Sequence, residues 1–367
     1  MIRLIAPAAA SFALCLLAIF ALRPLAIAVD LVDRPVGRKT HHGEVPIVGG
    51  LAMFLGMILG IGLLPLSDGA TGAFLGAGTL LVTIGLIDDR FEVSPWMRLL
   101  TQAASTVLLM AGTGAVVTTL GAPFGSAITL SGVGSIAFTI IITIAAVNAF
   151  NMLDGMDGLA GATALTAMLA LAYASWTADL RDTAGVSLVV AGVICAFLMF
   201  NLPVRLSRSV RCFMGDAGST LLGFSVAWVC IRVSQGPSKA VAPVTTLWIV
   251  ALPLYELLWS TARRIVRGVS PLKADTAHFH HLLLKGGFGV RATFGFFVAL
   301  SVVLSGIGVS LDRRLPASYS LLLLVLFGAA IIRLTYRADL IWRLVPKPWR
   351  RRVGTLDTSS DSPLATT

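Results

Sequence analysis

Residues 99–153 read LLTQAASTVLLMAGTGAVVTTLGAPFGSAITLSGVGSIAFTIIITIAAVNAFNML and contain no charged side chain. A bilayer core about 30 Å thick needs about 20 apolar residues per helix, so this stretch can form two membrane-spanning helices. We divide it at the Gly-rich segment 121–134, because residues that expose the backbone suit a turn better than a helix interior. This stretch alone predicts a membrane protein.

The rest of the chain repeats this apolar pattern. Of 367 residues, 56% are hydrophobic and 13% are charged, whereas a soluble domain has about 25% charged residues. We predict an all-α polytopic membrane protein with about eleven transmembrane helices. The predicted spans are 4–22, 47–66, 70–87, 99–120, 133–147, 159–178, 183–204, 217–231, 240–262, 292–311 and 315–332. The first could be read as a signal peptide, but no small-residue cleavage site precedes Arg23 and Pro24.

The charged residues between the spans predict the orientation. If the spans alternate in direction, most Lys and Arg fall on one face, which the positive-inside rule makes cytoplasmic. The N-terminus is then periplasmic and the C-terminus cytoplasmic. All 5 His and most carboxylates fall on the same face, although the rule makes no demand on them. We therefore expect a functional site on the cytoplasmic side of the membrane.

The net charge of +10 does not indicate a nucleic-acid partner, because so few charges are confined to short connections. We expect residues 1–345 to form a single multi-spanning domain whose cytoplasmic loops are catalytic. Residues 346–367 are basic and then polar, and we expect a disordered tail. The 4 Cys show no spacing typical of a metal site or of disulfides.

The first cytoplasmic loop contains Lys39 and His41 beside a turn rich in Gly and Pro. Backbone N–H groups in such a turn can approach an anion, so we predict that both side chains contact a phosphate. Arg34 and Arg38 fit equally well as anchors at the lipid headgroups.

Asp88 and Asp89 follow an uninterrupted apolar helix. Adjacent carboxylates at a membrane interface repel each other, and a divalent metal would neutralise them. The alternative is an exposed helix end with Arg90 as the counter-ion. Arg98, just before the next span, is placed to hold a lipid phosphate at the same depth.

Polar residues then recur at every third position, in Asn148, Asn151, Asp154 and Asp157. In a helix this spacing places neighbours close together on one surface. Oxygen ligands of this kind suit Mg²⁺ or Mn²⁺, and we expect Asn148 to bind the substrate. The alternative is that these groups bond to neighbouring helices.

Asp216 directly precedes another apolar helix, and Phe213 lies three residues before it. Asp216 can cap this helix or bind a metal together with Asn151, and the two roles are compatible. Phe213 can stack on a base, although core packing is the commoner role of a Phe.

The last cytoplasmic loop combines cations with imidazoles. Adjacent imidazoles cannot all reach one tetrahedral zinc ion, whereas hydrogen-bond donors beside arginines suit a pyrophosphate. The residues that we predict to bind substrate here are Arg263, Arg264, Arg267, His278, His280 and His281.

Together these loops supply metal ligands, phosphate-binding cations and an aromatic platform at one membrane surface, which suits phosphoryl transfer from a nucleotide to a membrane-dissolved acceptor. The sequence contains no P-loop and no kinase glycine loop, so a nucleoside triphosphate is not the expected donor.

In order and spacing, the motifs resemble the polyprenyl-phosphate N-acetylhexosamine-1-phosphate transferases over nearly the whole chain. The residues that carry this resemblance are 38–41, 49–50, 88–90, 148–159, 213–219 and 278–281. The resemblance implies that UDP-GlcNAc gives GlcNAc-1-phosphate to undecaprenyl phosphate, releasing UMP, with Mg²⁺ or Mn²⁺ required. It also implies that Asn151 and Asp216 bind the metal, and that Phe213 stacks on the uracil. The last loop would bind the sugar and the pyrophosphate.

Some residues depart from the family pattern: Glu256 stands where Asp is usual, Leu272 where Phe is frequent, and Thr276 where Arg is common. A phospho-MurNAc-pentapeptide transferase is an alternative, although Phe279 interrupts the three consecutive histidines that it typically presents. An ion-coupled transporter would place its ionisable residues near mid-span, whereas here the acids gather at helix ends, with Glu256 as the main exception. The sequence leaves a homodimer open.

The sequence also suggests a mechanism. Undecaprenyl phosphate is mostly a dianion at pH 7 and needs little help from a base. We therefore expect direct attack on the β-phosphorus, with Asp88, Asp89, Asp154 and Asp157 as catalytic residues. The alternative is a double displacement through an acyl phosphate on Asp88 or Asp89.

Overall fold

The computed structural model of the chain describes residues 2–34, 44–66, 68–203, 211–270 and 278–337. Lys39, His41 and the predicted tail 346–367 lie outside these residues. Most of the described chain is helical. The elements are α1 (Ile2–Ala28), β1 (Val32–Asp33), β2 (Val45–Pro46), α2 (Gly49–Gly62), α3 (Asp68–Phe91), α4 (Pro95–Thr113), β3 (Thr119–Gly121), β4 (Ile128–Thr129), α5 (Gly132–Leu153), α6 (Leu159–Thr177), α7 (Arg181–Asn201), α8 (Gly215–Ser234), α9 (Pro243–Ile249), α10 (Ala251–Val266), α11 (Phe279–Lys285), α12 (Val290–Leu311) and α13 (Ala317–Tyr336).

Several of these helices are suited to a bilayer. In the described part of the chain, 8 helices are long and apolar enough to cross a membrane, and a bent pair of helices could add a ninth span. The eight are α1, α3, α5, α6, α7, α8, α12 and α13. The protein is therefore an all-α polytopic membrane protein.

The predicted count of eleven spans is not confirmed. Each predicted segment contains a helix, but α2 has only 14 residues, and α4 is not among the eight. The segment predicted at 240–262 is not one straight helix, because α9 and α10 meet at an angle of 82°. Pro253 explains this break, since it has no N–H to donate to the carbonyl of Ile249 and its ring would clash there.

The division of the long uncharged stretch is confirmed. Helix α4 ends at Gly114, which adopts a left-handed conformation with φ of 64°. The antiparallel strands β3 and β4 follow, and α5 begins at Gly132. The side chain of Gln235, just after α8, accepts hydrogen bonds from the N–H groups of Thr118 and Thr119.

Helix α8 lies at the centre of the bundle and packs against α2, α3, α5 and α6. Its first turns approach two neighbours at backbone distance. A Cβ atom added to Gly50 would lie 2.3 Å from the nitrogen of Gly218, and one added to Gly85 would lie 2.3 Å from the Cα of Ala217. Small residues at these positions let the helices approach closely, as in membrane helix pairs generally. This packing fixes the start of α8 against α2 and the end of α3.

Candidate active site

The ends of three helices bring two carboxylates to one arginine. Arg98, in the first turn of α4, lies with its Nε 2.8 Å from Oδ2 of Asp88, near the end of α3. Its Nη1 lies 3.6 Å from Oδ2 of Asp216, at the start of α8. The Arg98 side chain is 39% exposed, so its guanidinium also faces solvent. Together with Gln102, these residues line a small cleft between α3, α4 and α8.

Asp89, and not Asp216, caps the start of α8. The N–H of Asp216 donates to Oδ1 of Asp89 at 2.7 Å, and the N–H of Ala217 donates to Oδ2 at 3.4 Å. A carboxylate at this position satisfies N–H groups that have no partner inside the helix. Gly215 makes the approach feasible, because its φ is +69° and a Cβ atom there would lie 2.3 Å from Oδ2 of Asp89. The Asp216 carboxylate can therefore face the cleft.

Asn151 joins this group from the last turn of α5. Its Nδ2 donates to Oδ1 of Asp216 at 2.7 Å and to Oγ of Ser219 at 3.0 Å. The predicted pair of metal ligands is thus in direct contact. Mg²⁺ is usually held by one or two carboxylates, with waters and substrate phosphates completing its shell. The donor set fits such an ion, although among the described residues no three His, Cys, Asp or Glu side chains form a metal cluster.

The predicted helical ladder ends earlier than expected. Asn148 and Asn151 lie on α5, but the helix stops at Leu153, and Asp154 and Asp157 lie in the following turn. Gly155 and Gly158 interrupt the helical pattern, and Gly158 has a φ of 76° that side chains rarely adopt. We call residues 154–158 the acidic turn.

In the acidic turn, the carboxyl group of Asp154 lies in an environment that disfavours its ionised form. Burial raises the pKa of Asp154 well above its usual value of 3.8, and the carboxylates of Asp216, Asp89 and Asp157 raise it further. Asp157 lies opposite Arg211, whose Nη2 is 3.6 Å from its Oδ2. A cation bound near this turn would therefore favour the ionised form of Asp154.

Asn201, which we did not single out from the sequence, connects the acidic turn to the segment that precedes α8. Its Oδ1 accepts a hydrogen bond from the N–H of Gly158 at 2.8 Å, and its Nδ2 donates to the carbonyl of Cys212 at 2.9 Å. The residue is only 6% exposed. An amide side chain that ends an apolar helix was the available signal, because such a group must find partners when it is buried.

Phe213 directly follows Cys212, which Asn201 contacts, and its side chain is half-buried. Its N–H donates to the carbonyl of Pro46, and its carbonyl accepts from the N–H of Gly49. The end of the first loop is therefore attached to the site, but Lys39 and His41 lie outside the described residues. Their contact with a phosphate stays a prediction.

Asn148 is engaged by a neighbouring helix. Its Nδ2 donates to Oε1 of Gln102 at 2.9 Å and to the carbonyl of Ile144 at 2.8 Å. This arrangement is the structural alternative that the sequence left open. A role for Asn148 in substrate binding stays a prediction.

The histidines of the last loop lie against the acidic turn. A Cβ atom on Gly155 would be 2.8 Å from Nε2 of His280, so the imidazole touches this turn. His280 is 1% exposed, and neither of its ring nitrogens has a hydrogen-bond partner among the described residues. Burial, together with the nearby imidazoles of His281 and His278, lowers the pKa of His280 to about 3. His280 is therefore neutral at pH 7, and its contact with the substrate stays a prediction.

The arginines of α10 differ in exposure. Arg263 and Arg264 are 8% and 6% exposed, whereas Arg267, at the end of the helix, is exposed. All three lie on the segment that leads to the histidines. Their contact with a pyrophosphate stays a prediction.

Comparisons with known proteins agree with this arrangement. The sequence profile of Glycosyl transferase family 4 matches residues 71–234, from α3 to the end of α8. The undecaprenyl-phosphate alpha-N-acetylglucosaminyl 1-phosphate transferase of Salmonella typhi is 33% identical over 331 residues, which cover 89% of this chain and 88% of that protein. The proteins of the same name from Escherichia coli (strain K12) and Haemophilus influenzae are 34% identical, over 89% and 80% of this chain and 88% and 82% of their own lengths.

The chain therefore belongs to glycosyl transferase family 4, and the resemblance found in its motifs is confirmed. It is a glycosyl-1-phosphate transferase.

Proposed function

We propose that the protein transfers GlcNAc-1-phosphate from UDP-GlcNAc to undecaprenyl phosphate, giving undecaprenyl-pyrophosphate-GlcNAc and UMP. This is the first membrane step of O-antigen or another surface polysaccharide. The observation that carries the proposal is the contact of Asp216 with Asn151 and Arg98, which joins three helices at one end of the bundle. The names of the relatives support the transfer of a GlcNAc-1-phosphate group to undecaprenyl phosphate.

The proposed setting is the bacterial inner membrane, with the site on the cytoplasmic side. In this topology eleven segments cross the bilayer, the N-terminus is periplasmic and the C-terminus is cytoplasmic. The segments are the eight long apolar helices, the bent pair α9 and α10, and the shorter or more polar helices α2 and α4. The positive-inside rule supports this orientation.

The residues divide the chemical tasks between them. Asn151 and Asp216 would hold Mg²⁺ or Mn²⁺, which when bound polarises the pyrophosphate and offsets its charge. Asp89 orients the start of α8 by accepting from the N–H of Asp216. Arg98 presents a cation beside Asp88 for the lipid phosphate.

The chemical step is an in-line displacement. An oxygen of the lipid phosphate forms a bond to the β-phosphorus of UDP-GlcNAc, and the bond from that phosphorus to the bridging oxygen breaks as UMP leaves. The lipid phosphate is mostly a dianion at pH 7, because its second pKa is near 6, so no strong base is needed. Isolation of a sugar-phosphate adduct on Asp88 or Asp89 without acceptor would show a double displacement instead.

The function is tested with purified protein, undecaprenyl phosphate, Mg²⁺ and a panel of UDP-sugars, by measuring UMP. UDP-GlcNAc should release UMP, EDTA should stop the reaction, and added Mg²⁺ or Mn²⁺ should restore it. UMP from UDP-MurNAc-pentapeptide alone would assign the other transferase. Substrate uptake into sealed vesicles without any UMP would indicate a transporter, and no UMP from any donor would remove the proposed activity.

A further inference from the structure

Glu256 is a carboxylate buried inside the bundle. It lies on α10, is 0% exposed, and uses both of its oxygens. Its Oε1 lies 2.7 Å from Nδ1 of His278, and its Oε2 accepts from the N–H of Phe279 at 3.0 Å. One side chain of α10 therefore fixes both the ring of His278 and the first residue of α11.

These two contacts determine where the histidines lie. His278 precedes α11 and makes no side-chain cap of its own, so Glu256 takes the place of a local cap. The ring of His280 lies parallel to that of His278, with an interplanar angle of 2° and centroids 5.7 Å apart. His280 in turn touches Gly155. A continuous path of contacts thus leads from Glu256 to the acidic turn.

The energetics favour a role in positioning. A buried carboxylate must be desolvated, so its net contribution to stability is small even when it is fully hydrogen-bonded. Its contacts nevertheless specify geometry, because loss of either oxygen leaves a buried donor without its partner.

We propose that Glu256 is a positioning residue for donor binding: it fixes His278 and the start of α11, and so holds the ring of His280 against Gly155 of the acidic turn, which forms the donor side of the site. This inference rests on the proposed function for the identity of the donor. In the proposed function the lipid acceptor binds beside Arg98, so a change of Glu256 should leave acceptor binding unchanged.

The first test is the kinetics of Glu256→Gln in the full-length protein. The amide oxygen of Gln can still accept a hydrogen bond from the N–H of Phe279. His278, however, loses its negatively charged hydrogen-bond acceptor. We expect KM for UDP-GlcNAc to rise about tenfold, whereas kcat and KM for undecaprenyl phosphate change less than about twofold. Unchanged kinetics, or an equal loss for both substrates, would overturn the proposal. If Glu256→Gln does not fold, Glu256→Asp, which keeps the charge but shortens the reach, is measured by the same criteria.

A double-mutant cycle distinguishes positioning from general destabilisation. If Glu256 acts through His278, then Glu256→Gln should have little further effect in a His278→Ala background. Additive effects would contradict this route. The matched control is Asp312→Asn: its carboxylate also accepts from a backbone N–H, that of Ala242, and from the hydroxyl of Thr245, but at the other end of the bundle. This variant should keep both KM values.

A final readout does not depend on turnover. NMR of ¹⁵N-histidine-labelled full-length protein should show a proton on Nδ1 of His278, assigned with His278→Gln, and Glu256→Gln should remove or shift it. Wild-type protein without activity towards UDP-GlcNAc would refute the proposed function, and this spectrum would still test the contact. An unprotonated Nδ1 in the wild type would refute the positioning proposal.

Discussion

The contacts of Arg98 depend on the planar shape of its guanidinium group. The guanidinium reaches Asp88 and Asp216 and also donates to the carbonyl of Val93. Lysine carries the same charge as a single point and cannot make these contacts together. We therefore expect Arg98→Lys to lower kcat at least about tenfold while the protein remains folded.

The measurements are UMP release and the thermal unfolding midpoint. Arg232→Lys is the control, because Arg232 contacts Thr183 at the opposite end of the bundle and should leave kcat unchanged. Full activity of Arg98→Lys would show that bridging the two carboxylates is unnecessary.

The buried imidazole of His280 predicts a pH dependence of stability. Between about pH 6.5 and pH 3 the unfolded chain binds a proton on this residue that the folded protein does not bind. The free energy of unfolding should therefore fall as the pH falls through this window, by up to about 1.4 kcal/mol per pH unit. The stability that depends on the neutral imidazole is fully present above pH 6.5.

Thermal unfolding between pH 7 and pH 4 tests this dependence. His280→Gln should lose less stability on acidification than the wild type. His281→Gln should have a smaller effect, because His281 is only half-buried, although burial also lowers its pKa. Equal acid sensitivity of wild type and His280→Gln would contradict the prediction.

Residue types and spacing predicted much of the site but not its contacts. The sequence placed Asp88, Asn151 and Asp216 at one face, and the structure brings Asp88 and Asp216 to a common cleft, with Asn151 in contact with Asp216. It could not show that Asp89 caps α8, because that partner lies 127 residues away along the chain. Glu256 was visible as an acid near mid-span where the family usually has Asp, but its contacts were not, since its partners follow in a different segment.

Among the helices, the contact between α3 and α8 decides whether the carboxylates meet. Gly85 has no room for a Cβ atom, which would lie 2.3 Å from the Cα of Ala217. Gly85→Ala should therefore separate the two helices, reduce the free energy of unfolding by about 1–3 kcal/mol, and strongly reduce activity. Gly72 on the same helix has nothing within 4 Å of its Cβ position.

Gly72→Ala is thus a matched control, and it should be neutral or slightly stabilising, because Ala favours a helix over Gly by up to about 1 kcal/mol. UMP release and thermal unfolding are measured for both variants. If Gly85→Ala behaves like Gly72→Ala, the backbone contact does not hold the site together.

Apolar length predicted where helices occur, but not their breaks. The Gly-rich segment correctly indicated a turn between α4 and α5. The bend of 82° between α9 and α10 was missed, because a hydropathy pattern carries no information on the angle between helices. Pro253 was the signal in the sequence that could have predicted the break. The acidic turn was misread as helix because the spacing of three outweighed its two glycines.

At the scale of the whole molecule, the proposed topology predicts that the two ends of the bundle are accessible from opposite sides of the membrane. With all four native cysteines replaced, Ser126→Cys in the connection between β3 and β4 should react with an impermeant maleimide in intact cells. Lys285→Cys at the end of α11 should react only after the membrane is opened. The reverse pattern would invert the proposed orientation, and labelling of both in intact cells would contradict the number of spans.

The close packing of Gly50 with Gly218, and of Gly85 with Ala217, leaves no space for sliding at the entrance of α8. The half of the active centre that carries Asp88 and Asp216 is consequently a rigid platform, assembled before any reactant arrives. The histidine half depends on the side-chain contacts of Glu256. Any rearrangement that accompanies the entry and exit of bulky reactants should therefore fall on α11 rather than on the start of α8.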